Sequence, residues 1–172
     1  MNLTEELLAS ALPESVHHRL QYREVSAEEA LKLTGHKHAG WVVPMNGPDG
    51  QPYQWEDGKT FYRLKPVTPV PTKDGKTAKY LTAGEAGCRP YLSPLLPKAS
   101  LKPGKDLDWT EGEKKADCAN HHDFPTIGLS GVDSWRDKRT GRSQPLPEFD
   151  ALELRKRTHR IAFDSDIVHK VE

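Results

Sequence analysis

The sequence predicts an α+β protein with a helical and β-rich N-terminal part, followed by an α/β core with a parallel sheet. Three observations favour this fold class. Helix signals occupy the first 35 residues, short β-type runs between turn residues follow, and strand and helix patterns alternate in the last third. We therefore expect an N-terminal region over residues 1–100 and the α/β core over residues 101–172.

Three short helices are expected at the start of the chain. Thr4 is a suitable N-cap for a helix over residues 5–12, which a proline then ends. A second helix is expected over residues 13–25. Ser26 is the N-cap of a third helix, and Gly35 is its C-terminal stop. Helices this short and this close together usually pack on a neighbouring element.

The middle of the chain has β-type patterns. Residues 40–45 and 60–66 are short β runs, and the segment between them contains Asn-Gly and Asp-Gly turn signals. Residues 67–79 are rich in proline and lysine without a period, which predicts an exposed loop. Residues 79–84 and 89–97 are expected to be short extended pieces held by prolines.

The last third alternates between strand and helix signals. The expected elements are strand 106–110, helix 113–122, strand 124–132, helix 146–157 and strand 159–166. This order is the pattern of a parallel sheet with right-handed crossovers. The remaining stretch, residues 133–145, is expected to be an exposed loop.

Composition limits the possible functions. The 172 residues include 25 Lys and Arg against 25 Asp and Glu, so the whole molecule has no net attraction for nucleic acid or membrane. Two cysteines are too few for a disulfide framework, and no window of the sequence reads as a signal peptide or a membrane span. We expect a cytoplasmic protein that is not bound to membrane.

Polar residues follow each strand of the expected parallel sheet. They are Glu111 with Gly112, Ser130 with Gly131, and Asp164 with Asp166. Because parallel strands end at the same edge, these residues are expected to converge there, where open α/β sheets bind ligands. Gathered carboxylates resist ionising together unless a cation neutralises them, and oxygen ligands favour Mg²⁺ or Mn²⁺.

The start of the helix after the first strand suggests a phosphate site. Gly112 permits a tight turn, and the backbone amides at the helix start can hold a phosphate. Lys114 and Lys115 lie in the first turn, where the helix dipole disfavours cations, so an anion nearby would compensate. The alternative is a solvated helix start, with Asp164 and Asp166 as solvated turn residues.

Residues 109–135, followed by the stretch "RIAFDSD", resemble the Toprim domain, the topoisomerase-primase module of replicative primases, topoisomerases and some nucleases. In that family one strand ends in Glu-Gly and a later strand ends in Asp-x-Asp. Glu111 matches the first acid, and Asp164 and Asp166 match the second motif. The resemblance implies that these three carboxylates are catalytic and bind Mg²⁺.

The stretches "TEGEKKA" and "IGLSGVDSW" are similar to the primase-like Toprim domain of unknown function in cyanobacterial, plasmid and phage replication proteins. That family is often fused to a helicase. A complete Toprim fold continues beyond Asp-x-Asp with a helix and another acidic strand. By this comparison the core at residues 101–172 is expected to be C-terminally incomplete.

Basic residues recur in segments expected at the surface. Those singled out as phosphate or nucleic-acid contacts, besides Gly112, Lys114 and Lys115, are Arg63, Lys65, Arg136 and Arg139. Local basic tracks supply sequence-independent affinity for nucleic acid even when the net charge is zero. A charge run is also the ordinary composition of a solvated face, so the assignment stays open.

Taken with the resemblance, these features lead us to expect Mg²⁺-dependent nucleotidyl or phosphoryl transfer, primase-like, on a DNA template. The expected partners are single-stranded DNA, nucleotides and a replicative helicase domain. A Toprim nuclease or nicking enzyme is the first alternative. A non-catalytic module of a replication initiator, which binds single-stranded DNA or a partner, is the second.

Overall fold

The computed structural model describes residues 2–72, 75–83, 87–137 and 143–164. It is a mixed α+β structure with two compact units. The first unit consists of Met1–Met45 and Gln51–Gly87, and the second of Asn46–Gly50 and Cys88–Glu172. The division therefore falls after Gly87, whereas the sequence placed it after residue 100. Tyr91–Leu92 pairs with a strand of the second unit, which accounts for this difference.

The first unit contains three helices and six strands among its described residues. They are α1 (Leu3–Leu8), α2 (Glu14–Leu20), β1 (Arg23–Val25), α3 (Ala27–Thr34), β2 (Gly40–Pro44), β3 (Tyr62–Pro66), β4 (Val70–Pro71), β5 (Thr77–Ala78) and β6 (Leu81–Thr82). Strands β1, β2, β3 and β6 form an antiparallel sheet in that order. Its core cluster contains Val25, Ala30, Val42 and Leu64.

Local capping decides where the N-terminal helices begin and end. The third helix confirms its prediction, because the Ser26 side chain accepts from the Glu29 amide and Gly35 ends the helix with φ +77°. Thr4 is not the first N-cap, since Asn2 occupies that position in a reciprocal capping box with Glu5.

The predicted second helix, residues 13–25, is too long. Gln21 adopts a left-handed conformation with φ +59°, which ends α2. The next residues form β1 and pair with β2, from Arg23 opposite Val42 to Val25 opposite Gly40. Val25 thereby becomes part of the core. The helical periodicity that predicted the longer helix does not show this strand pairing.

The predicted loop over residues 67–79 also contains regular structure. Val70–Pro71 and Thr77–Ala78 pair as β4 and β5 in a small antiparallel hairpin. Its turn has Gly75 at φ +78°, a conformation that glycine adopts readily. A two-residue strand gives no periodic signal, so the sequence pattern missed it.

The second unit contains one α-helix, two 3₁₀-helices and six strands among its described residues. They are β7 (Tyr91–Leu92), a 3₁₀-helix (Lys98–Leu101), β8 (Leu107–Glu111), α4 (Glu113–His121), β9 (Thr126–Leu129), β10 (Arg136–Asp137), β11 (Gln144–Pro145), a second 3₁₀-helix (Pro147–Ala151) and β12 (His159–Ala162). The main sheet has the order β12-β8-β9-β7. Strands β12, β8 and β9 are mutually parallel, and β7 is antiparallel to β9.

The apolar cluster of the second unit lies on one face of this sheet. Buried side chains from three of the four main-sheet strands meet the second 3₁₀-helix region there: Leu92, Leu107, Trp109, Ile127, Leu129 and Leu152. The alternation of side chains along a strand explains why Leu107 and Trp109 share this face.

The predicted helix over residues 146–157 is wrong. Only Pro147–Ala151 is helical, and it is a 3₁₀-helix. Leu146, Phe149 and Leu152 lie three residues apart, and each of the last two donates its amide to the carbonyl of the one before. A three-residue repeat aligns these apolar side chains, which a longer α-helix would rotate away from one another.

The predicted exposed loop over residues 133–145 contains paired strands. Arg136 lies opposite Pro145, and Asp137 opposite Gln144. Asp137 is buried, with 5% of its surface exposed. Among the described residues, no helix has both the length and the apolar character needed to cross a membrane.

Candidate functional site at the carboxyl edge of the parallel sheet

Two neighbouring parallel strands end in acidic residues at one edge of the sheet. Thr110 of β8 lies opposite Ala162 of β12, and its Oγ1 donates to the Ala162 carbonyl at 3.0 Å. Glu111 is the last residue of β8, and Asp164 follows β12 by two residues. The structure therefore places Glu111 and Asp164 at the same edge, as the sequence predicted.

Gly112 makes the sharp transition from β8 into α4. Its amide donates to the Leu129 carbonyl at 2.7 Å, which extends the β8–β9 ladder by one bond. Its backbone has φ +93° and ψ 151°, a region used essentially by glycine alone. Because Gly112 is the N-cap of α4, the helix begins directly at the sheet edge.

Close packing holds α4 against β9. A Cβ atom on Gly128 would lie 3.1 Å from the Gly112 carbonyl oxygen and 3.3 Å from the Cβ of Ala116. Glycine at this position therefore lets the helix approach the strand. Ala116 is fully buried in this contact. The face that α4 covers is opposite the face that carries Trp109.

The two connections of the parallel sheet lie on opposite faces. The chain passes from β8 to β9 through α4, and returns from β9 to β12 through the segment that contributes Phe149 and Leu152 to the Trp109 face. The connections that leave β8 and β9 therefore diverge, and open α/β sheets bind ligands beyond the carboxyl ends of such strands. Glu111 ends β8 at this edge, and Asp164 follows β12, the neighbour of β8 on its other side.

Lys115 and Asp164 form an ion pair at this edge of the sheet. Lys115 Nζ donates to Asp164 Oδ1, and both side chains are about half exposed. Lys115 lies in the first turn of α4, where the helix dipole disfavours a positive charge. The sequence suggested an anion to compensate this lysine, and in the structure the Asp164 carboxylate supplies it.

Helix α4 also carries two acidic residues that sequence reasoning did not single out. Glu113 is 1% exposed and Asp117 is completely buried. The Tyr91 hydroxyl, from β7, donates to Asp117 Oδ1 at 2.8 Å. Glu113, Ala116 and Asp117 are spaced so that they lie on one side of the helix. This spacing is the signal in the sequence that the two acids face the sheet. The predicted solvated helix start is therefore wrong for Glu113.

Asn120 fixes the other end of α4. Its Nδ2 donates to the carbonyls of Ala116 (2.7 Å) and Thr126 (2.8 Å), and its Oδ1 accepts from the Thr126 amide at 3.1 Å. These buried bonds tie the last turn of the helix to the first residue of β9. They hold the α4–β9 end of the β8–α4–β9 unit, while the bond from the Gly112 amide to the Leu129 carbonyl holds its β8–α4 end.

The other predicted residues of the edge have less defined surroundings. Ser130 follows β9 and is partly buried, and Lys114 is partly buried in the first turn of α4. Asp166 and Arg139 lie outside the described residues. Among the residues that the structure describes, no group of three His, Cys, Asp or Glu side chains is arranged to hold a metal ion. The triad with Asp166 stays a prediction.

Arg63 and Lys65 of β3 have partners within the first unit. Arg63 is 7% exposed and its guanidinium lies 4.9 Å from the centre of the Tyr80 ring. Lys65 pairs with Glu6, and its Nζ lies 4.9 Å from the centre of the Trp41 ring. Both cations therefore stabilise the packing around β3. Their role as phosphate contacts stays a prediction.

Two arginines of the second unit also make intramolecular contacts. The Arg136 guanidinium lies 4.7 Å from the centre of the Trp135 ring and 3.4 Å from Asp133. Arg160 of β12 donates to Asp108 at 2.6 Å and lies 3.2 Å from Asp106. Hydrogen bonding to Asp108 and the nearby negative charge raise the pKa of Arg160. Arg160 is therefore paired with these two aspartates at the amino end of β8, away from the carboxyl edge that carries Glu111.

The second unit therefore has an α/β architecture whose candidate ligand site lies beyond the carboxyl ends of two parallel strands. Residues 105–172 match a family described as Domain of unknown function (DUF3854). This match begins just before β8 and includes Glu111, Gly112 and both aspartates of the last motif. No curated protein and no solved structure matches the chain.

Proposed function

We propose that the second unit is a Toprim-like module that binds Mg²⁺ or Mn²⁺ and carries out nucleotidyl or phosphoryl transfer, primase-like, on a DNA template. The observation that carries the proposal is the position of Glu111–Gly112 and Asp164 at the carboxyl ends of two neighbouring parallel strands, at one edge of the sheet. The resemblance of the Glu-Gly and Asp-x-Asp motifs supplies the reaction class.

The donor chemistry fits such an ion. Glu111, Asp164 and Asp166 offer only carboxylate oxygens, the ligands that Mg²⁺ and Mn²⁺ prefer over softer metals. A bound ion of this kind neutralises developing charge on phosphate oxygens and orients the phosphoryl group. In this proposal Asp164 and Asp166 hold the ion, and Glu111 accepts or donates a proton beside it.

The start of α4 would receive the phosphate. The first turn of a helix presents backbone N–H groups and the positive end of its dipole, and Gly112 places that turn at the edge where Asp164 lies. Lys115 is the nearest cation, because it contacts Asp164 directly. We expect Lys115 to leave Asp164 and contact phosphate when an ion binds.

The Lys115–Asp164 ion pair also supports a second candidate function. Because an internal cation already pairs with Asp164, this carboxylate has a neutralising partner without a metal ion. The chain would then be a non-catalytic module of a replication initiator that binds single-stranded DNA or a partner. A nuclease, in which Glu111 activates water at the same site, is a third outcome of the experiment below.

Metal-dependent stabilisation tests the site. A ligand that binds only the folded state stabilises it by about 2.7 kcal/mol at one hundred times its Kd. We expect Mn²⁺ to raise the Tm of the protein and of Asp150→Asn, an exposed aspartate of the second unit, and not that of Asp164→Asn. Equal stabilisation of all three proteins would contradict the proposed site.

Activity assays separate the reaction types. Incorporation of a labelled nucleotide on a single-stranded template, lost in Glu111→Gln, would support the primase-like reaction. Cleavage of a labelled single strand, lost in the same variant, would identify a nuclease. Metal-independent DNA binding with neither reaction would favour the non-catalytic module.

A further inference from the structure

An open apolar cleft lies on the face of the parallel sheet opposite α4. Its volume is about 380 Å³, within the size range of small-molecule sites. Five of the residues that line it carry aromatic or imidazole rings: Trp109, Trp135, Phe149, His159 and Phe163. The sequence analysis did not find this cleft, because its rings come from separate elements, two parallel strands and the segments beside them.

The cleft opens to solvent toward the carboxyl half of the sheet. Ile161 is 69% exposed, although it occupies a central position of β12. Val132 and Trp135 are also more than a third exposed. An apolar surface of this kind on the described part of the chain is typical of a binding site. Its lining extends to Phe163, which directly precedes Asp164.

The aromatic wall is fixed by its own hydrogen bonds. The Trp109 indole N–H donates to His159 Nδ1 at 3.0 Å, and His159 Nε2 donates to the Leu154 carbonyl at 2.7 Å. Phe149 packs edge-on against Trp109, with ring centroids 5.5 Å apart and planes at 79°. The ring nitrogens of Trp109 and His159 are thus engaged with each other and with the backbone, so these two rings offer their surfaces rather than free donors.

Two charged groups flank this apolar wall. Glu111 lies on the same face as Trp109, because both occupy alternate positions of β8. Arg136 stacks on Trp135, so the cleft has a cation at its rim. A planar ring matches the aromatic wall better than an aliphatic ligand does, since aromatic rings stack on tryptophan. The Arg136 guanidinium attracts an anionic extension, whereas Glu111 repels one unless a cation lies between them.

We propose that the cleft binds the base of a nucleoside triphosphate by stacking, with the phosphates directed to the carboxyl edge. The inference deepens the proposed function, because it uses the same edge for the phosphates. Recognition mainly by stacking on ring surfaces predicts little preference among the four bases. Stacking on Trp135 and contact with Ile161 provide most of the affinity for the base.

The contribution of the base is measured by comparing ATP with inorganic tripolyphosphate by calorimetry at fixed free Mg²⁺. We expect ATP to bind at least about fivefold more tightly than tripolyphosphate. Ile161→Glu and Trp135→Ala should abolish this preference. Both residues are exposed enough that the variants should fold, which circular dichroism checks. Val67→Glu, at an apolar residue of the first unit whose exposure (62%) is close to that of Ile161 (69%), is the control and should retain the preference.

The failure of this inference and that of the metal site are distinguishable. If tripolyphosphate does not bind, the phosphate site fails, and saturable quenching of tryptophan fluorescence by adenosine, lost in Ile161→Glu, still supports the cleft. An ATP preference that survives Ile161→Glu would overturn the inference, as would no preference at all. Concentration-dependent dimers that Ile161→Glu abolishes would show that a second copy occupies the cleft, and would also overturn it.

Discussion

Lys115 in the first turn of α4 donates to Asp164, two residues beyond the end of β12. This ion pair joins the two elements that border the candidate site. It also places an internal cation on the carboxylate that the proposed function assigns to a metal ion. Metal binding and this ion pair should therefore compete.

Replacing Lys115 by Met should increase the affinity for Mn²⁺. An exposed ion pair contributes about 0.2–1 kcal/mol, so its loss should lower the Kd by about 1.4- to fivefold. Isothermal titration with Mn²⁺ alone measures the change. Lys115→Arg keeps the charge and should bind Mn²⁺ as the natural chain does. Weaker metal binding by Lys115→Met would mean that the lysine does not compete.

Replacing Gly112 by Ala should destabilise the second unit through the backbone alone. A Cβ atom at Gly112 would meet no other atom within 4 Å, yet φ +93° with ψ 151° is a conformation that alanine disfavours. The expected loss in unfolding free energy is about 1–3 kcal/mol, measured by urea denaturation.

Gly131→Ala is the matched control for this backbone effect. Gly131 has no positive φ, and a Cβ there would lie at an ordinary 3.5 Å from Ser134 Oγ. Its change should stay within about 0.5 kcal/mol. Similar losses in Gly112→Ala and Gly131→Ala would show that the strand-to-helix turn does not depend on the special conformation of Gly112.

Replacing Asn120 by Ala should reduce stability because it removes three buried hydrogen bonds. The amide and carbonyl of Thr126 would lose their side-chain partner, at a cost of roughly 1–3 kcal/mol. Thermal unfolding followed by circular dichroism measures the loss. His122→Ala, at an exposed residue next to the same helix end, should change stability by less than about 0.5 kcal/mol. Asn120→Ala with the same small change would contradict this role.

The Cys118 thiol should react slowly in the folded protein. Burial raises the pKa of Cys118, and the neighbouring charge of Asp117 raises it further. A raised pKa leaves less thiolate at a given pH, so alkylation by iodoacetamide at pH 8 should be slower than in the urea-unfolded chain. A Cys88→Ser background confines the measurement to Cys118. The rate should reach half its maximum at a higher pH in the folded state than in the unfolded one.

The same shift predicts a pH dependence of stability. Because the folded state disfavours the Cys118 thiolate, this group stabilises the fold below the thiol's unfolded pKa of about 8.5, and the contribution is lost as the pH rises through the folded value. Cys118→Ala should remove this part of the alkaline loss. An identical pH profile for the variant would contradict the assignment.

Local patterns in the sequence correctly predicted the elements with strong signals of their own. The cap residues Ser26 and Gly35 bound α3 as expected, and the strands on either side of α4 occur where apolar runs predicted them. The parallel order of strands and helices followed from these segments, which is why Glu111 and Asp164 could be placed at one edge before the structure was known.

Elements stabilised mainly by distant partners were missed. The strand Arg23–Val25 exists because it pairs with β2, and the 3₁₀-helix Pro147–Ala151 because its apolar residues meet the Trp109 face. The burial of Glu113 and Asp117 likewise depends on the approach of α4 to the sheet. None of these contacts produces a periodic pattern of apolar residues within its own segment.

By itself, the sequence determined which residues bear the candidate chemistry and that they follow parallel strands, because capping, turns and apolar periodicity are local properties of the chain. Only the tertiary structure decided that Lys115 neutralises Asp164 and that rings from separate segments enclose a cleft. Those contacts join residues 49 positions apart or on different elements, and their free energy depends on packing geometry that no local pattern encodes.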